Sequence, residues 1–439
     1  MRRWRGQRLW ISLAVIAIGV AWCGWRFWTV RQYKGAMARI EQAMQSGLFA
    51  AAARDLSALL VSRPRWDEVA YRLGLCEKAR GRFKEADAAW ALIAPDSPMN
   101  GRAVMARMDL LLEQGKLAEA EELIDKAALA RGPDGWALRM LLIPTLLQEG
   151  RTEEAERIIE SRWRNLNARG EGATEQAINL ARLAIEVRSN PPPVDAVRAY
   201  LEQVGQRDRE DDRVWLGRAN LALRVGAIDE AKPWIDRCVK RRGEDPAVWR
   251  ARLAWALATN QVSEVEAALT HIPADQASPA EIARLSAWLA AARGDSKAER
   301  QELETLVILE PADFAARERM LKLNQAAETS GAPLPSVDRA EVERSQARYR
   351  ELFARNQPAR DAAEMARLAE QLGHRFEAIA FLTAALGEEP GRVDLRTSLK
   401  RLEQENAPSS RSGGTVFDVI EKNRAPDRPV TKAESRASS

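Results

Sequence analysis

Two histidines, His271 and His374, are all that this chain of 439 residues offers for proton transfer near neutral pH. Histidine is the side chain whose ordinary pKa places its charge change there, so general acid–base catalysis would have to be built from almost nothing. His374 follows the turn glycine Gly373, and His271 stands near a helix end before Pro273; both read as exposed histidines of loops or helix ends. The three cysteines, Cys23, Cys76 and Cys238, are spaced for neither a disulfide framework nor a zinc site. Cys76 and Cys238 read as small buried apolar residues. No Cys-x-x-Cys pair is present, which argues against a redox- or zinc-linked role.

The acidic run Glu210-Asp211-Asp212 has the ligand chemistry of a hard cation site, but it stands just ahead of Trp215 where a helix starts. Carboxylates are favoured there by the helix dipole, and the helix-start reading is preferred. Glu121-Glu122 and Glu153-Glu154 likewise open helices and read as solvated faces. Gly170-Glu171-Gly172 and Gly413-Gly414-Thr415 follow no predicted strand and lack the lysine that a phosphate loop needs. The sequence thus points to binding rather than catalysis: no enzymatic activity, no cofactor and no metal are expected.

The elements that must position any binding surface repeat. Gly47, Gly81, Gly115 and Gly150 are each followed five residues later by an alanine, Ala52, Ala86, Ala120 and Ala155. A period of about 34 residues is that of stacked helical hairpins, in which each unit buries its apolar face only against its neighbours. Around the second of these glycines the pattern is fullest: Leu73-Gly74, Gly81, Phe83, Ala86, Trp90 and Pro98. The beat lapses between Asn167 and Asp212 and returns with Trp215 and Trp249, then with Gly226, Ala231 and Ile235, Val265 and Leu269, Gly294, Leu303 and Pro311, and finally Gly373, Phe376, Ala378 and Pro390.

This pattern resembles the tetratricopeptide repeat family. The resemblance implies an all-α fold, a right-handed superhelical solenoid of helical hairpins. Residues 33–166 would be regular repeats, and 167–212 an irregular unit whose helices Ala177–Val187 and Val194–Val204 are joined through the prolines Pro191, Pro192 and Pro193. Residues 213–328 would be degenerate repeats and 337–405 a last unit with capping helices. Residues 406–439, rich in Ser, Arg, Pro and Lys, read as a disordered tail; its one apolar island, Val416–Ile420, is either a docking peptide or a scrap without a role.

Ahead of the array, Leu9 to Trp25 carry no charge between Arg8 and Arg26, and Trp4, Trp10, Trp22, Trp25 and Trp28 crowd the two ends. That is a short membrane span with aromatic and basic anchors. Trp22 stands where a cleavable signal needs a small residue, so 9–28 is predicted to be an uncleaved transmembrane anchor behind a basic tail, residues 1–8. The expected site is the inner membrane of a bacterial cell, crossed once, with the body outside the cytoplasm. Eight basic residues precede the first acidic one, Glu41; without them the 67 basic residues no longer outnumber the 63 acidic ones. A slightly acidic body is the wrong footprint for nucleic acid.

In tetratricopeptide proteins, partners commonly lie against the first helix of each repeat. That resemblance selects Met37, Tyr71, Met105 and Met140 as an apolar half, and Arg213, Arg224, Arg250, Arg284 and Trp288 as a basic half suited to acidic segments. The lysine and asparagine clamp of chaperone-binding relatives has no match: the positions carry Met37 and Glu41, Tyr71 and Leu75, Met105 and Asp109. The leading reading is a membrane-tethered scaffold that binds other proteins or peptide segments. The alternative is an accessory subunit of envelope glycan or lipid biogenesis that binds a non-protein ligand.

Overall fold

A computed structural model describes residues 33, 35–62, 66–132, 135–168, 175–326, 339–355, 358–405 and 414–424. The basic tail, the predicted anchor 9–28 with Cys23, and Gly170–Gly172 lie outside the described residues. Among the described residues every regular element is a helix, and none is long and apolar enough to cross a membrane. The chain divides into two compact units, Met1–Leu138 and Arg139–Ser439.

The first unit holds α1 (35–45), α2 (Phe49–Ser62), α3 (Asp67–Ala79), α4 (Phe83–Ala91), α5 (Asn100–Glu113) and α6 (Leu117–Ala130). Each helix packs on the next, α2 through α6. The turn glycines explain the beat. Gly81 has φ of +74°, a left-handed conformation that side chains resist, and it lets the Arg82 amide reach back to the Glu77 carbonyl at 2.8 Å. Gly115 and Gly150 close their first helices with the same backward bond, from Lys116 to Leu111 and from Arg151 to Leu146. Five residues past each glycine, Ala52, Ala86, Ala120 and Ala155 are fully buried where two helices cross. Leu56, Trp90, Ile124 and Ile159 follow one turn later and are equally buried.

Gly74 fits the same logic at closer range. The Trp90 indole crosses α3 at this point and donates its Nε1 hydrogen to the Tyr71 carbonyl at 3.0 Å. A Cβ on Gly74 would sit 2.2 Å from that nitrogen. Gly74→Ala is therefore expected to destabilise the first unit by about 1–3 kcal/mol, overpacking outweighing the roughly 1 kcal/mol that alanine gains in helix propensity. Denaturant unfolding measures it, and Trp90→Leu in the same chain should recover part of the loss.

The second unit begins with the last residue of α7 (Trp136–Arg139), followed by a 3-10 turn, Met140–Leu142. Next come α8 (Ile143–Gln148), α9 (Thr152–Ala168), α10 (Glu175–Ser189) and α11 (Val194–Arg207). The hairpins α12 (Asp212–Arg224) with α13 (Ile228–Arg241), α14 (Pro246–Ala258) with α15 (Val262–Leu269), and α16 (Pro279–Ala292) with α17 (Ser296–Leu309) come after them. The unit closes with α18 (Phe314–Ala326), α19 (Arg339–Arg355), α20 (Pro358–Gln371), α21 (Arg375–Glu388), α22 (Val393–Glu405) and α23 (Val416–Arg424). In the degenerate repeat between α14 and α15 the turn glycine is replaced by Asn260, which takes φ of +55° and keeps the backward bond, Gln261 to Ala256 at 2.9 Å. Asparagine tolerates this conformation better than most side chains.

Three expectations need correction. Helices α10 and α11 form about where predicted, but not as one hairpin: α10 packs on α9 and on α21, while α11 packs on α12 and α8. The reason is a buried polar cluster. Glu377 of α21, fully buried, accepts from Arg188 Nη1 of α10 at 2.9 Å and from the Tyr349 hydroxyl of α19 at 3.0 Å, and nearby Trp163 and Phe376 rings stand 5.3 Å apart. Second, 414–424 is not without structure. Ala274 donates to the Gly414 carbonyl and Val416 to the Ile272 carbonyl, and Val416 and Ile420 enter the core around Trp249 and Val265. The apolar island is thus a helix docked on its own chain, tied further by Arg293–Glu421 at 2.8 Å. Third, Glu121 is buried and not solvated, although Glu122 and Glu153 do sit outside.

Candidate functional site

The basic residues selected from the sequence do come together in register, but in pairs with carboxylates of the following repeat. Arg213 on α12 is buried against Asp245 at 2.7 Å, and Asp245 also caps α14 by accepting from the Ala247 amide at 2.9 Å. Burial alone would raise the Asp245 carboxyl, but Arg213 and that amide overcome it and hold its pKa below the usual value. Arg250 on α14 meets Glu281 of α16 at 2.6 Å and donates to the Gln276 carbonyl. Arg284 on α16 meets Glu310 and, at 3.3 Å, Asp313. These three arginines thus clip their repeats to the next.

The chain's own α9 also approaches this face. Arg164 donates to the Asp275 carbonyl at 2.6 Å, and Arg157 has its pKa lowered by burial and by the like charge of Arg250. Arg224 is exposed and holds the Pro192 carbonyl at 2.9 Å, tying α12 to the proline connector, and Trp288 packs against the central core. An acidic partner at Arg213, Arg250 or Arg284 would have to displace carboxylates already in place.

The apolar candidates divide likewise. Met37 packs into the cluster around Ile40, Ala52 and Leu56, and Tyr71 against that around Trp90. Met140 is half-buried in the 3-10 turn of the second unit. Met105 on α5 is 41% exposed and is the one of the four that presents its side chain openly.

The acidic run, the cysteines and the histidines have these surroundings. Asp211 is the N-cap of α12, its Oδ1 accepting from the amides of Arg213 and Val214, and Asp212 pairs with Arg242 at 2.7 Å. Cys76 and Cys238 are buried; burial pushes both thiols up, that of Cys238 to about 12. His271 is exposed and stacks on Trp249 with ring centres 3.7 Å apart. His374 departs from the expectation of an exposed histidine: it is partly buried, and desolvation followed by the charge of Arg188 lowers its pKa to about 3.

A different set of cations was missed in the sequence. Trp-x-x-Arg occurs twice in succession, as Trp215 with Arg218 on α12 and Trp234 with Arg237 on α13. The hairpin crosses them: the Arg218 guanidinium lies 5.0 Å from the Trp234 ring centre, and that of Arg237 lies 4.8 Å from Trp215 and 5.5 Å from Trp234. The Trp215 ring is fixed by its Nε1 hydrogen bond to the Arg209 carbonyl, 3.0 Å. Both arginines line a cleft of about 390 Å³ between α11, α12 and α13, with Glu202, Gln206, Arg209 and Glu210 also on its wall. Neither Arg218 nor Arg237 has a carboxylate partner among the described residues. A further copy, Trp249 with Arg252, pairs within its own helix at 5.5 Å, and its arginine is neutralised by Glu264 at 2.6 Å. The two-residue spacing within each helix is the signal that could have found the cleft.

Residues 111–165 match the tetratricopeptide repeat family. No curated protein matches the sequence. Among solved structures the chain is similar to a tetratricopeptide repeat protein from Parabacteroides merdae, at 14% identity over 67% of this chain and 98% of that one, with a TM-score of 0.25. It is also similar to a chain of the APC/C hetero-tetramer Cut9–Hcn1, at 12% identity over 83% and 75%, TM-score 0.28, and to yeast Tom70, at 13% identity over 89% and 91%, TM-score 0.22.

Proposed function

We propose that this chain is a membrane-tethered scaffold that binds polypeptide segments on its helical-hairpin repeats and organises a complex at the membrane surface. The observation that carries the reading is the repeat itself. Each hairpin commits its small residues, Ala52, Ala86, Ala120 and their successors, to contacts with its neighbours, and leaves side chains of the first helices outside the core, Met105 most openly. Cys76 and Cys238 are buried and His374 is partly buried with its pKa lowered, which favours packing roles for these three over chemistry. The tether is the apolar stretch 9–28, with the body outside the cytoplasm.

Photo-crosslinkers placed at Met105 and Tyr71 in the full chain, in its membrane, test this. Polypeptide adducts at Met105 are expected, with fewer at half-buried Tyr71. Adducts confined to lipid or glycan, or none at either position, would sink the scaffold reading. A phosphatase reporter fused after Ser439 reads the side: activity outside the cytoplasm is expected.

A further inference from the structure

We infer that the cleft between α11, α12 and α13 is a carboxylate-binding site for an acidic side chain of a polypeptide, held between Arg218 and Arg237. The inference rests on the scaffold reading and gives it a specific docking point. It lies apart from the first-helix ladder, whose arginines are neutralised by Asp245, Glu281, Glu310 and Asp313.

Three features build the site. Cation–π contact with Trp234 and Trp215, at 5.0 and 4.8 Å from the ring centres, holds the two guanidinium groups in place without cancelling their charge, so N–H donors remain for an acceptor. Gly205 on α11 makes room: a Cβ there would lie 2.7 Å from Arg218 Nη2, so a helix-weakening glycine sits where the arginine head needs space. The volume, about 390 Å³, accommodates a few side chains and falls in the range of ordinary ligand pockets.

The wall charges choose the ligand class. Arg209, Arg218 and Arg237 share the lining of the cleft with Glu202 and Glu210. Mixed signs repel an extended polyanion, whereas a peptide with one acidic residue flanked by basic residues satisfies both. A planar carboxylate also matches the guanidinium fork in a bidentate pair.

The test uses the full-length protein and two fluorescein-labelled peptides, one with a single aspartate between two lysines and its asparagine twin, read by anisotropy. Binding of the aspartate peptide alone is expected, weakened about tenfold or more in Arg218→Gln and further in the double variant Arg218→Gln, Arg237→Gln. Arg250→Gln should leave it unchanged. Gly205→Ala should weaken it while a thermal melt shows the fold retained, which separates loss of the site from loss of the protein. Equal binding of the two peptides, no binding of either, or no effect of the double variant would overturn the inference. So would displacement of the peptide by inorganic tripolyphosphate at concentrations below the peptide's own, which would mark a phosphate site. If crosslinking at Met105 captures polypeptide while the cleft stays silent, the cleft assignment falls and the scaffold reading stands; absence of polypeptide at both places removes both.

Discussion

Glu377→Ala is expected to lower the stability of the second unit by about 3 kcal/mol, with the loss centred where α21 meets α10. The Glu377 side chain has no exposure, and both of its oxygens are engaged, one by Arg188 at 2.9 Å and one by the Tyr349 hydroxyl at 3.0 Å. Removing one member of a buried pair leaves the other charge uncompensated, which costs about 3–5 kcal/mol when that partner is sealed from water. Arg188 keeps about a third of its side chain exposed and has Glu156 within 3.8 Å, so it recovers part of its solvation and the lower end applies. Tyr349→Phe, which removes a single hydrogen bond, should cost about 1 kcal/mol. Denaturant unfolding gives the magnitude. Hydrogen exchange gives the place, since amides of 175–189 and 375–388 should lose protection together while those of α12 to α15 do not. A loss below about 1 kcal/mol, or exchange that rises uniformly, would show that the cluster does not hold the two segments together.

That cluster also marks what a repeating sequence can and cannot disclose. The turn glycines and the alanines five residues on were legible because both answer to local rules: Gly81 must adopt a left-handed φ, and Ala86 must be small where two adjacent helices cross. Each rule recurs with the repeat, so each leaves a periodic trace. The pairing of Arg188 with Glu377 joins residues 189 positions apart and happens once, so it has no period to betray it. The docking of Val416 and Ile420 onto the core around Trp249 is likewise a single event, and polar composition on either side of the island concealed it.

The arginines illustrate a subtler limit. Placement on the first helices made Arg250 and Arg284 look available, yet their partners, Glu281, Glu310 and Asp313, lie one repeat further on and only the stacking of hairpins brings them within reach. Charge in a solenoid is read correctly only with its neighbour in place. Arg218 and Arg237 carry the converse lesson, because their tryptophan partners sit on the opposite helix of the hairpin and keep them fixed without neutralising them.

The largest pH effect should come from His374. Burial, reinforced by the positive charge of Arg188, lowers its pKa from 6.5 to about 3 in the folded protein. The unfolded chain therefore binds a proton there that the folded chain refuses. The associated stability is fully present above about pH 6.5 and drains away as pH falls toward 3, with a slope of up to about 1.4 kcal/mol per pH unit, the residual exposure of the ring keeping the slope below that limit. By pH 5 the difference should approach 2 kcal/mol. Carboxylate protonation contributes to acid unfolding in any variant, so the histidine's share is read as a difference: His374→Gln should flatten the fall between pH 6.5 and 4.5 relative to the parent. Arg188→Gln should bring the folded-state pKa of His374 only part of the way back toward its ordinary value, because it removes the repulsion but not the desolvation, which is the larger cause. Identical pH profiles for the parent and His374→Gln would mean that the ring takes up its proton without leaving its place, and that the helices around it yield to let water reach it.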